Sequence, residues 1–184
     1  MSYQPPRSRA NLFAVLGIVA LLIVGAVVAI VVTTSGADEK DNTAGSSSTA
    51  APNPAEARAA AARDDALADG RAAVEVFNTL DYRDVDAGLD RWEAVATGEL
   101  LAQVKSNRAT SADQIRQART ATTAEILDAA LAEFDEAAGT ATLLAAVSVD
   151  VTQEGQEPVN KRTRVTATLE RDGDDWKVSE LSTA

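Results

Sequence analysis

The chain has 184 residues, with 28 acidic and 17 basic side chains and a formal net charge of −11 at pH 7. It contains no histidine and no cysteine, which excludes Ser-His-Asp and Cys-His nucleophilic sites, zinc sites built from these residues, and iron–sulfur clusters held by thiolates. Because phosphate contacts need clustered Lys and Arg, the acidic balance also argues against a nucleic-acid partner.

The first predicted element is a transmembrane helix over residues 12–32. This segment contains no charged side chain, and a helix of its length rises about 31 Å, enough to cross the core of a bilayer. Arg7 and Arg9 precede it and acids follow it, so the positive-inside rule places residues 1–11 in the cytoplasm and the bulk of the chain outside the plasma membrane. A secretory signal cleaved near residues 35–37 is the alternative.

Residues 33–53 predict a flexible linker, because Ser, Thr, Ala, Gly and Asp dominate and the apolar residues show no periodicity. An extracytoplasmic domain is expected over residues 54–184. Residues 33–184 hold all 28 acidic residues but only 15 of the 17 basic ones, a net charge of −13. This acidity favours solubility outside the membrane.

Helices are predicted at the start of this domain. The first covers residues 54–80, with Asn53 as N-cap, and its alanine-rich first half is either a solvated surface or a projecting partner surface. A second helix is predicted over residues 85–96 and a third over residues 99–105. The polar residues 106–117 either extend the third helix or form a loop.

Four β-strands complete the domain, and the short turns between them require antiparallel neighbours. The strands cover residues 120–134, 140–153, 159–171 and 175–181. The first of them also fits a helix by propensity, but the other long strands need a partner, so we predict a strand. Helices followed by a meander predict an α+β fold in which the helices cover the concave face of a bent antiparallel sheet.

This order of elements resembles that of NTF2-like cones, although the short strand expected between their helices is not evident here. The apolar span, Arg58 in the alanine-rich helix, residues 80–86, residues 96–100 and residues 172–178 occur in an order and spacing that resemble those of the actinobacterial Mce-associated membrane proteins. The resemblance implies a non-catalytic accessory subunit of an Mce-type lipid import system, with Mce transporter proteins or a permease as partners.

Two other functions stay open at this point. An apolar cone is suited to a lipid or sterol, which makes the domain a candidate lipid-binding module. Secretion and conjugation channels also use single-pass proteins with NTF2-like outer domains, which makes it a candidate scaffold subunit of such a channel.

Two polar residues are candidate pocket groups. Asp128 is predicted to share a strand face with Ile126, Ala130 and Phe134, where a carboxylate is a candidate general base, and Tyr82 is a candidate donor to an oxyanion. The alternatives are that Asp128 faces water and that Tyr82 fastens the first helix to the second, together with an ion pair of Arg83 and a helix cap at Asp84. We predict no enzyme and no cofactor, catalytic or metal site.

The predicted outer domain has one basic cluster, Lys161, Arg162 and Arg164. These residues are candidates for contact with an acidic partner, or they balance acidic residues on neighbouring strands.

Overall fold

The computed structural model describes residues 53–183. The elements in chain order are α1 (Pro54–Asn78), β1 (Leu80–Asp81), α2 (Val85–Val95), α3 (Gly98–Ala118), β2 (Thr120–Asp135), β3 (Thr140–Gln153), β4 (Val159–Asp172) and β5 (Asp175–Thr183). The strands form one antiparallel sheet in the order β1-β2-β3-β4-β5, with helices packed on one face. The predicted α+β arrangement, with helices packed on one face of a curled antiparallel sheet, is confirmed.

The predicted transmembrane helix at residues 12–32 and the linker up to residue 52 lie outside the described residues. Of the helices between residues 53 and 183, none is both long enough and apolar enough to cross a membrane.

Helix α1 begins where the sequence predicts. The side chain of Asn53 accepts a hydrogen bond from the N–H of Ala55 at 3.1 Å, and Pro54 occupies the first turn. Further along, α1 lies close to the sheet, since a Cβ added at Gly70 would come within 2.7 Å of Cδ1 of the fully buried Leu169. The absence of a side chain at Gly70 therefore allows α1 to lie this close to the sheet.

One expectation about the helical segment is revised, and one open alternative is decided. A short strand does lie between the helices, because Leu80 and Asp81 pair with the start of β2; two residues are too few to show a periodicity in the sequence. Residues 106–117 extend α3, because the buried Ala112 and Ile115 continue the apolar face of its first half.

The four long strands are confirmed, with ends within two residues of the predicted ones. We call the sheet face that contacts the helices the inner face and the opposite one the outer face. Alternate residues of β3 and β4 are buried on the inner face: Leu143, Ala145, Val147, Val149, Val165, Ala167 and Leu169. The two tryptophans, Trp92 and Trp176, are also buried.

The turn between α2 and α3 covers part of the edge of β5. Ala96 forms a parallel bridge with Val178, and the N–H of Thr97 donates a hydrogen bond to the carbonyl of Val178 at 2.8 Å. This contact protects the middle of β5 from pairing with another strand.

Candidate interaction surface

The outer face of the sheet separates acidic from basic side chains. The strand register aligns Asp128 of β2 with Ala146 of β3 and Arg164 of β4, and it aligns Glu125 with Arg162 in the same way. Paired residues of antiparallel strands share a face, so the acids lie on one side of this surface and the arginines on the other. A small side chain on β3 separates them.

An open depression with a volume of about 350 Å³ lies between these charges. Its lining includes Asp128, Arg164 and Leu144, and Leu144 is 49% exposed. The nearby Leu127 is 48% exposed. The outer face thus carries exposed apolar side chains together with charges of both signs, which makes it a candidate contact surface.

The predicted surroundings of Asp128 are wrong in part. Asp128 shares the outer face with Ala130, but Ile126 and Phe134 pack against the core from the inner face. The reason is a pair of β-bulges in β2. The first, at Leu127, reverses the alternation between Ile126 and Asp128, and the second, at Ala132, reverses it again before Phe134. Asp128 is exposed, as in the alternative interpretation. Within residues 53–183 no group of three acidic side chains is placed to hold a metal ion.

Tyr82 lies at another part of the sheet, near the end of β3. Its hydroxyl donates a hydrogen bond to Oε1 of Glu154 at 3.0 Å, and Nη1 of Arg119 donates to Oε2 of the same carboxylate at 2.7 Å. Burial raises the pKa of Tyr82, and the hydrogen bond to Glu154 raises it further. The hydrogen bonds from Arg119 and Tyr82 lower the pKa of Glu154. The hydroxyl of Tyr82 therefore links its segment to Glu154, and Tyr82 does not lie beside Asp128 in a common site.

The residues around Tyr82 match their predicted role incompletely. Arg83 forms the predicted ion pair with a nearby acid, Asp81, at 3.5 Å, and its guanidinium lies 4.5 Å from the ring centroid of Tyr82. Asp84 occupies the N-cap position of α2, but its side chain makes no capping hydrogen bond. The contact of Tyr82 with Glu154 shows that this segment is joined to the turn after β3.

An ion-pair network between α2 and α3 was not evident from the sequence. Nη2 of Arg108 lies 2.7 Å from the carboxylate of Asp90, and Nη1 lies 2.6 Å from that of Glu93. These hydrogen bonds raise the pKa of Arg108. Arg116 adds an ion pair with Asp86 at 2.9 Å. The partners lie on different helices, so no local spacing in the sequence could reveal the pairs.

The three basic residues of β4 divide between the two faces. Arg162 and Arg164 are exposed on the outer face, and in the part of the chain that the structure describes their guanidinium groups make no hydrogen bond or ion pair. Lys161 pairs in register with the buried Val149, which places it on the inner face. There it lines a second open recess, with a volume of about 440 Å³, beside the end of α3.

Neither a protein-family model nor a curated protein sequence matches this chain. Several solved structures do resemble its fold. The periplasmic domain of DotI matches with a TM-score of 0.54 at 10% identity, over 74% of this chain and 98% of that domain. An IcmL-like type IV secretion system protein from Legionella pneumophila matches with a TM-score of 0.53 at 12% identity, over 72% of this chain and 93% of that one.

A periplasmic fragment of TraM is a third similar structure, with a TM-score of 0.52 at 15% identity, over 65% of this chain and 95% of the fragment. At these identities the similarity shows the fold alone. The described domain is thus similar in fold to two periplasmic domains and to a type IV secretion system protein.

Proposed function

We propose that this protein is a non-catalytic scaffold subunit of a secretion- or conjugation-type channel, anchored in the plasma membrane by residues 12–32 with its folded domain outside. The observation that carries the proposal is the fold similarity, which extends over 93% to 98% of the periplasmic domain of DotI and of the type IV secretion protein. Inference from fold to function is an analogy, so the exposed surface must support it independently.

The described surface supports a contact role more than a chemical one. The hydroxyl of Tyr82 is engaged by Glu154, and Asp128 is an exposed carboxylate on the outer face. Leu144 is half exposed beside Arg164, which gives that face both apolar and charged contact groups. Such a mixture suits reversible assembly with other proteins.

The chain-wide resemblance to Mce-associated membrane proteins supports a second candidate, an accessory subunit that binds Mce transporter proteins or a permease. Both candidates share the anchor and the outer domain, and they differ in the partner. A lipid or sterol inside the cone is a weaker candidate, because Leu143 and Leu169 fill the space between α1 and the sheet at Gly70.

Photo-crosslinking in the native membrane tests these proposals. The full chain is produced in its source cells with a photoreactive amino acid at Leu144, illuminated, purified in mild detergent, and analysed by mass spectrometry. We expect cross-links to channel subunits; cross-links to Mce or permease proteins would select the second candidate. The matched control carries the same amino acid at Glu75, an exposed position of α1.

Equal intermolecular cross-linking from both positions, or recovery of the protein alone across several detergents, would contradict an interaction role for the outer face.

A further inference from the structure

Strand β4 has an edge without a strand neighbour in the described part of the chain. Its pairing with β3 continues to Val159, whereas its pairing with β5 stops at Val165, opposite Thr183. Among residues 53–183, the segment 159–164 therefore has a strand neighbour on one side only. In an antiparallel ladder every second residue directs its N–H and C=O away from a given neighbour, so about three residues of this segment present unpaired backbone groups. Such an edge is a template for an added strand.

The two faces along this edge differ in chemistry. Arg162 and Arg164 project on the outer face, as described above. On the inner face, Val159 and Lys161 line the recess of about 440 Å³, together with Gln117 at the end of α3. Val159 is 57% exposed. A strand added here would meet two arginines on one face and a partly apolar recess on the other.

The charges determine which strand fits. A second copy pairing through the same edge would bring Lys161, Arg162 and Arg164 against their own counterparts, and like charges opposite each other destabilise a sheet. Residues 33–184 carry a net charge of −13, so this edge is a local basic site on an acidic domain. It attracts acidic segments more strongly than the rest of the surface does.

We propose that residues 159–164 bind an extended segment of a partner protein by strand addition. The segment alternates acidic side chains, which meet Arg162 and Arg164, with apolar side chains, which lie over the recess. Backbone hydrogen bonds provide affinity, and the alternating side chains provide specificity. This inference rests on the proposed scaffold function and names the chemistry by which a partner is held.

The probe is a short, capped, fluorescent peptide in which Glu and Val alternate, added to the full chain in detergent micelles. We expect saturable binding by fluorescence anisotropy, weaker at higher salt, and slowed amide hydrogen exchange within residues 159–164. A peptide in which Lys replaces Glu should bind at least about tenfold more weakly, because opposite charge pairs become like ones.

Backbone N-methylation separates strand addition from electrostatic capture. Two further peptides carry N-methyl groups on one or the other set of alternate amides. Only one set faces β4, so one peptide should lose binding and the other should retain it. Retention by both peptides would overturn strand addition, and protection of another strand in place of residues 159–164 would overturn the assignment of the edge.

Charge variants test the role of the arginines. The double substitution Arg162→Glu and Arg164→Glu should weaken peptide binding by roughly tenfold or more. The matched control, Arg91→Glu with Lys105→Glu, makes the same change in net charge at exposed helix positions and should leave binding within about twofold. Equal losses in both variants would show that net charge alone is responsible and would overturn the proposal.

These outcomes are independent of the cross-linking result. Channel cross-links without peptide binding would remove this inference and leave the proposed function. Peptide binding together with cross-links only to proteins outside any channel would remove the proposed function and leave strand addition at this edge. Self-association of the full chain with protection of residues 159–164 in the absence of peptide would assign the edge to a second copy and would also overturn the inference.

Discussion

The contact between α1 and the sheet at Gly70 allows a quantitative test of the core. A Cβ added at this position would lie 2.7 Å from Cδ1 of Leu169 and 3.2 Å from Cδ2 of Leu143. Both leucines have no exposed surface, so neither can move outward to make room. We therefore expect Gly70→Ala to destabilise the domain, although alanine is the better helix former.

Two opposing terms determine the size of the effect. Overpacking a filled core costs about 1–3 kcal/mol, and replacing glycine by alanine within a helix contributes about 1 kcal/mol of stability. The expected net loss is about 1 kcal/mol, or roughly 4 °C in melting temperature for a domain of this size.

The effect of Gly70→Ala on stability should change sign when Leu169 is truncated. Leu169→Ala by itself should cost about 3–5 kcal/mol and leave space beside Gly70. In that background Gly70→Ala fills the space and should stabilise the domain by about 1 kcal/mol. A double-mutant cycle should therefore give a coupling energy of roughly 2 kcal/mol between the two positions.

Guanidinium chloride unfolding of the full chain in detergent, followed by tryptophan fluorescence, measures each free energy. The two tryptophans of the chain, Trp92 and Trp176, are both buried in the domain and report on its unfolding. Ala72→Gly, at an exposed position of α1, is the control for helix propensity alone and should cost about 1 kcal/mol. If Gly70→Ala is equally stabilising with leucine and with alanine at position 169, the proposed close contact is refuted.

Further predictions concern the sheet register and the ion pairs. Leu143→Ala should cost about 3–5 kcal/mol and Leu144→Ala less than about 1 kcal/mol by the same unfolding assay, because these neighbours lie on opposite faces; similar losses would refute the register. The raised pKa of Tyr82 means that the folded state holds its proton more tightly, so stability should fall above pH 10, and Tyr82→Phe should reduce that fall in an alkaline titration of melting temperature. The lowered pKa of Glu154 predicts a loss of stability as pH falls below 4.5, which Glu154→Gln should reduce, and unchanged titrations would contradict both assignments. Arg108→Ala should lower stability, and a higher salt concentration should diminish the difference from the wild type.

Local signals in the sequence determined most of the secondary structure. The N-cap at Asn53 and the proline after it define the start of α1, because capping involves only neighbouring backbone groups. Alternating apolar residues along β3 and β4 identify the strands and their buried face. The turn before β5 also depends only on neighbouring residues, because Gly173 adopts the positive φ of 70° that such a turn requires.

The candidate site was less predictable. The sequence identified Arg162 and Arg164 as neighbours, and strand alternation placed them on the same face. It could not show that the edge beside them lacks a strand neighbour within residues 53–183, because that depends on where β5 stops pairing with β4. The recess beside Lys161 likewise requires the end of α3 to lie next to the sheet.

The sequence by itself therefore determined the class of fold, the order of elements and the buried strand faces, since periodicity and capping are properties of neighbouring residues. Only the tertiary structure decided the bulge that turns Asp128 outward, the two-residue strand β1, the hydrogen bond of Tyr82 to Glu154 and the edge of β4 that has no strand neighbour within residues 53–183. Each of these depends on pairing between residues far apart in the chain, where a shift of one position changes the face of every side chain beyond it.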